Sequence, residues 1–170
     1  MDNEGSSPIG AGSDVVNIDP CAVAAGADTF HKLLLQSYHG VLRVFPAVPS
    51  GWGTASSHRL RAQRGFEVTA MRKSFATQWL AVRSVAGAPN LVVAADFTSA
   101  DDQSTAVRVR TDAIGLSVGV ATSCDGSWCT YTLNVTLPAN ATVLIYPLRN
   151  AGAVFVLEQA AISTGPLNAW

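Results

Sequence analysis

The chain is short of charge. Of its 170 residues only 14% are charged, 11 basic against 12 acidic, for a formal net charge of -1. A chain so balanced carries no field of one sign to draw it to nucleic acid or to an anionic membrane surface, so neither is an expected partner. No apolar run approaches the ~20 residues of a membrane-spanning helix. Cysteine is scarce, at three, and so is histidine, at three. His31, His39 and His58 share no metal-ligand spacing with each other or with a cysteine; no metal or other cofactor is expected. Gly-x-Ser-x-Gly and phosphate-loop patterns are absent, which removes the commonest serine-hydrolase and nucleotide signatures. The segment Met1 to Pro8 is polar and acidic and does not read as a signal peptide.

Apolar residues are plentiful, at 48%. A chain of this length and apolarity buries a full core, so disorder throughout is excluded. Residues 1–21 are rich in Gly, Ser, Asp and Asn and read as a loop. From Ala22 to Tyr38 the apolar spacing is three and four, with Gly26, Phe30, Leu33, Leu34 and Ser37 on one stripe. Gly40 then stands where a helix C′ glycine is expected, so a helix is assigned to 22–39. Its start is apolar on nearly every side (Ala22, Val23, Ala24, Ala25, Ala27), which calls for neighbours on every side.

Beyond Gly40 the period becomes two. Strands are expected at 41–45 and near 58–62, 65–72, 76–85, 90–97, 105–110, 113–121, 129–137, 141–148 and 153–158. Turn residues punctuate them. Strands at such intervals are the signature of an antiparallel β-sandwich over 40–170, preceded by one long helix: a mainly β fold. Arg59, Arg61 and Arg64 have no aromatic partners at regular spacing and read as solvated strand-edge charges. Asp101 and Asp102 read as a turn.

Cys124 and Cys129 bracket an Asp-Gly turn, so they either face each other across a hairpin as a disulfide or remain two buried thiols. Cys21 is left over. Asn134 and Asn140 begin glycosylation sequons, and Asn140, in a turn after Pro138, is the better placed. Together these features favour an oxidising, extracellular setting, as part of a longer secreted chain. Of the four tryptophans, Trp79 reads as core and Trp52 as junction packing. Trp128, at the hairpin tip, is the one tryptophan expected to be exposed and so the candidate for stacking on a sugar, that is, for substrate binding.

The run from Leu33 to Pro49 resembles the junction found in fucosidase-type glycoside hydrolases of family 95. There a Leu-Leu-Gln-Ser motif, here Leu34 to Ser37, ends the last helix of an (α/α)6 barrel. A glycine and a strand with Pro-Ala-x-Pro follow, here Pro46 to Pro49. The likeness continues through Trp52, Leu60 to Ala62, Arg64 to Val68 and Val82 to Gly87, about residues 15–89 in all. Where the family reads Arg-Gly-Gly-Phe, this chain has one glycine fewer. The segment Tyr131 to Thr142 is similar to strand pairs at the C-terminus of several α-glycosidases. The resemblance implies that 22–39 is the terminal helix of a truncated barrel and that the sandwich braces that barrel. Its implied partners are an upstream catalytic domain and carbohydrate.

In that family the chemistry needs two carboxyl groups about 6.5–9.5 Å apart, one protonating the leaving group and one positioning water. The resemblance points to Asp19 as the water-positioning carboxylate. Capping the helix N-terminus is the competing role for the same residue. The acid partner has no counterpart in this chain, so activity in isolation is not expected. A stand-alone carbohydrate-binding or protein-interaction sandwich is the alternative.

Overall fold

A computed structural model describes residues 20–98, 104–114 and 116–150. Among the described residues one α-helix, α1 (Pro20–Leu34), precedes ten strands: β1 (Leu35–Tyr38), β2 (Val41–Val44), β3 (Thr54–Ala62), β4 (Phe66–Lys73), β5 (Ala76–Ser84), β6 (Ala88–Asp96), β7 (Val107–Thr111), β8 (Gly119–Asp125), β9 (Trp128–Leu137) and β10 (Thr142–Pro147). They form two five-stranded sheets, in the orders β1-β2-β6-β9-β8 and β3-β4-β5-β10-β7. Pairing is antiparallel except between β2 and β6. The fold is therefore a β-sandwich behind a single helix, as the strand pattern implied.

The core lies between the sheets. Alternate residues of β9 (Cys129, Tyr131, Leu133, Val135 and Leu137) point inward beside Leu91, Val93 and Ala95 of β6. Phe66, Val68, Leu80, Val82, Val143 and Ile145 face them from the second sheet. Each such side chain taken from water contributes about 1.5–3 kcal/mol, which makes this layer the main source of stability. Phe97 meets Tyr131 edge to face, with ring centroids 5.5 Å apart. The Tyr131 hydroxyl donates to the Thr105 carbonyl at 3.1 Å, satisfying its buried polar end.

Two local irregularities keep the period-two pattern in phase with the core. In β3 the register shifts between Ser57 and Leu60, and Arg59 takes φ 50°. Before this bulge Ala55 and Ser57 are the less exposed residues, and after it Leu60 and Ala62 are. Without the extra residue Arg59 and Arg61 would point into the core. In β6 a shift between Pro89 and Leu91, with Asn90 at φ 52°, likewise lets both Ala88 and Leu91 face inward.

The junction differs from the sequence expectation. The helix runs from Pro20 to Leu34 rather than over 22–39, and the sandwich begins at Leu35 rather than residue 40. Leu35 to Tyr38 pair with Val44 to Val41. His39 (φ 54°) and Gly40 (φ 76°) form the turn between them. Positive φ at both central residues is the type I′ hairpin turn, whose twist matches that of the strands. A left-handed glycine serves helix ends and hairpin turns alike, so Gly40 alone did not distinguish them. The motif side chains seal the change of structure. Gln36 Nε2 donates to the Lys32 carbonyl at 3.2 Å, one of the helix's orphan acceptors. Ser37 Oγ accepts from the Gln63 amide at 2.9 Å and ties β1 to the β3–β4 turn.

Three other differences follow. Phe30, expected on the buried stripe, is 61% exposed; Gly26, Leu33 and Leu34 are half-buried, and Leu34 packs against the sandwich core. The strand expected at 113–121 starts at Gly119 and runs to Asp125. The tryptophans also differ: Trp52 is 42% exposed rather than packed at the junction, Trp79 is half-buried rather than core, and Trp128 is half-buried rather than exposed. The strand expected at 153–158, the Asp101–Asp102 turn and Trp170 lie outside the described residues.

Candidate functional site

Two polar assemblies stand out on the outer faces of the sheets. The first is built on strand register. Arg43 pairs with Ala94, Ala94 with Thr130, and Thr130 with Ser123, so these four form a row across β2, β6, β9 and β8. Beside it the closing pair of the β8–β9 hairpin sets Asp125 opposite Trp128. These residues, with Pro46 and Cys124, line an open groove of about 410 Å³. Ala94 makes the floor because it is the smallest side chain in the row. Trp128 is half-buried, which anchors its indole at the groove wall.

The walls are held from outside the groove. The Arg43 guanidinium lies 4.5 Å from the Tyr38 ring centroid and donates to the Tyr38 carbonyl at 3.4 Å. On the other side a disulfide joins Cys124 to Cys129, the register pair next to Asp125 and Trp128. The turn beyond is Gly126–Ser127 with Gly126 at φ 60°, the type II′ arrangement in which glycine comes first.

The second assembly centres on Glu67. It lies on the outer face of the second sheet yet is only 3% exposed, because arginines cover it. Arg59 Nε donates to its carboxylate at 3.0 Å, Arg61 Nη2 approaches at 3.1 Å and Arg83 Nη1 at 3.1 Å. Hydrogen bonding from Arg59 is the main cause that holds the Glu67 carboxyl below its ordinary range; burial opposes it, and Arg83 and Arg61 add to it. Arg59 and Arg61 are thus members of an ion network, not independent edge charges as the sequence suggested. The bulge in β3 and the pairing of Arg61 and Arg83 with Glu67 on either side assemble it, and neither is visible in sequence spacing. Arg83 also donates to Asn140 Oδ1 at 2.6 Å, which fixes the turn before β10.

The residues singled out from the sequence are placed as follows. Asp19 lies outside the described residues. Asn134 is exposed on β9, on the same sheet face as Trp128; Asn140 is exposed in its turn. Cys21 is exposed on the first turn of α1. His31, His39 and His58 lie on α1, in the β1–β2 turn and in the β3 bulge, and no group of metal-ligating side chains occurs among the described residues. Among these residues no helix is long and apolar enough to cross a membrane. The sequence picked out Trp128 but not Arg43, Ala94, Ser123, Asp125 or Thr130. Only cross-strand register brings those together.

No family model and no curated protein matches the chain.

Proposed function

We propose that the chain is the accessory β-sandwich of a secreted glycoside hydrolase acting on α-linked, fucose-like sugars, and that α1 docks it against a helical catalytic barrel. The observation that carries this reading is the helix surface. Val23 is 53% exposed and Phe30 61%, and Ala27, also exposed, falls between them at spacings of four and three. Residues so spaced form one stripe, and a small residue between two large ones lets a second helix approach closely. Leu34, four residues on from Phe30, ends the same stripe and packs against the sandwich core, so the stripe is covered at its C-terminal end and open from Val23 to Phe30. An apolar stripe of helical period suits a neighbouring helix of a barrel better than a sheet.

The resemblance of Leu34 to Pro49 to the barrel–sandwich junction of family 95 supports the same reading. In it Asp19, the residue before Pro20 of α1, is the chain's contribution to the reaction, positioning the attacking water. The general acid comes from the barrel. The Cys124–Cys129 disulfide and the exposed sequons at Asn134 and Asn140 suit an extracellular setting.

The test compares this chain with a longer polypeptide that carries a helical barrel encoded upstream in the same reading frame. The chain by itself is expected to leave 4-nitrophenyl α-L-fucoside and the corresponding galactoside intact, and the longer polypeptide to hydrolyse one of them. Phe30→Asp is expected to lower that activity and the melting temperature of the longer polypeptide. If no such frame exists, or if Phe30→Asp leaves the longer polypeptide unchanged, the bracing role fails.

A further inference from the structure

We infer that the groove on the outer face of the first sheet is a binding site for a short neutral carbohydrate. This goes beyond the bracing role and does not rest on it, since the groove uses β2, β6, β8 and β9 rather than α1.

Size and charge argue for the ligand class. Neighbouring strands stand about 4.8 Å apart, so the row from Arg43 to Ser123 spans about 14 Å. That length and the volume of about 410 Å³ suit one or two sugar rings. A simple anion is disfavoured because Asp125 lines the same groove as Arg43 and offsets its charge. A wholly apolar ligand is disfavoured because Arg43, Asp125, Ser123 and Thr130 would lose water without gaining hydrogen bonds. A neutral sugar satisfies both conditions. Its C–H face packs on an indole, and its hydroxyls take donors from Arg43, acceptors from Asp125 and either from Ser123 and Thr130.

The walls are also set before a ligand arrives. Tyr38 holds Arg43 by its ring and its carbonyl. The Cys124–Cys129 disulfide fixes the strand pair that presents Asp125 and Trp128. A site whose side chains are already positioned loses less entropy on binding, which matters most for weak, hydroxyl-rich ligands.

The experiment titrates the full chain with neutral probes (L-fucose, D-galactose, L-rhamnose, D-glucose and 2′-fucosyllactose) and with D-galacturonate as the charged comparison. The indole N–H signal that disappears in Trp128→Ala identifies Trp128, and its shift reports binding. A saturable shift is expected with at least one neutral sugar at millimolar concentration, and a weaker one with galacturonate. By calorimetric titration, which needs no indole signal, Trp128→Ala is expected to weaken binding about tenfold. Ala94→Leu, which fills the floor and leaves Trp128 in place, is expected to abolish it, with thermal unfolding showing each variant folded. The inference is overturned if no neutral sugar shifts the indole, if galacturonate binds more tightly than every neutral probe, or if Ala94→Leu binds as the parent chain does. A failure here leaves the α1 test standing, and a failure there leaves this one.

Discussion

Glu67 shows how a single carboxylate organises its surroundings. Its three guanidinium partners would repel one another without it, and each is wet enough that the network is not a deep ion cluster: the side chains of Arg59, Arg61 and Arg83 are 52%, 70% and 36% exposed. Glu67→Gln keeps the shape and removes the charge, and is expected to cost about 1–2 kcal/mol, the scale of a charged hydrogen bond discounted for solvent. Because its carboxyl is held below the ordinary value of 4.5, the stability it contributes is present above that pH and lost as the pH falls further. Tyr131 sets the opposite limit. Burial, with a smaller contribution from the Asp96 charge, pushes its hydroxyl up from 10.0 to about 12. Its contribution is complete below pH 10 and is lost as the pH rises towards 12. Denaturant unfolding across pH is expected to show both limbs, with the acid limb flatter in Glu67→Gln. An acid limb unchanged by that substitution would mean the network adds nothing to stability.

Among the elements, the β1–β2 hairpin is the most informative. His39 and Gly40 both have positive φ, and the nearest atoms to an added Cβ at Gly40 would be those of the Arg64 guanidinium, at 3.7 Å. Space is therefore available and the cost of a side chain is in the backbone. Gly40→Ala is expected to lose about 1–2 kcal/mol by thermal unfolding, the penalty of a left-handed alanine. A loss below about half that figure would mean the turn relaxes to another type at little cost. The same hairpin marks where sequence reading stopped. Leu33 to Tyr38 satisfies a helical stripe and also alternates well enough for a strand. The pairing of Leu35 with Val44, a long-range contact, decided between them. The strands from β4 to β6 and β9 to β10 were legible because turn residues bound them, and β9 because its alternation is unbroken. The first half of β3 was not, because a bulge breaks its period. The site was legible only at Trp128, since the other groove residues come from strands far apart in sequence and carry no motif.

At the scale of the whole molecule the helix and the sandwich contribute unequally. Core packing draws on strands of both sheets from β1 to β10, β8 excepted, whereas α1 touches the strands mainly through β1 and β3. Stability then resides in the sandwich, and the outward stripe of α1 is available for another purpose. Two substitutions separate these roles. Leu133 is fully buried in the centre of β9, so Leu133→Ala removes buried surface and leaves a cavity; it is expected to cost about 2–5 kcal/mol. Phe30→Asp replaces an exposed residue in the isolated chain and is expected to stay within about 0.5 kcal/mol of the parent, as surface changes do. Equilibrium unfolding of the two variants reads both values. If Phe30→Asp proves as costly as Leu133→Ala, then Phe30 is already buried within the isolated chain and α1 presents no stripe to a barrel. If the costs differ as expected while Phe30→Asp weakens the longer polypeptide, Phe30 matters through a contact made only there, as the bracing role requires.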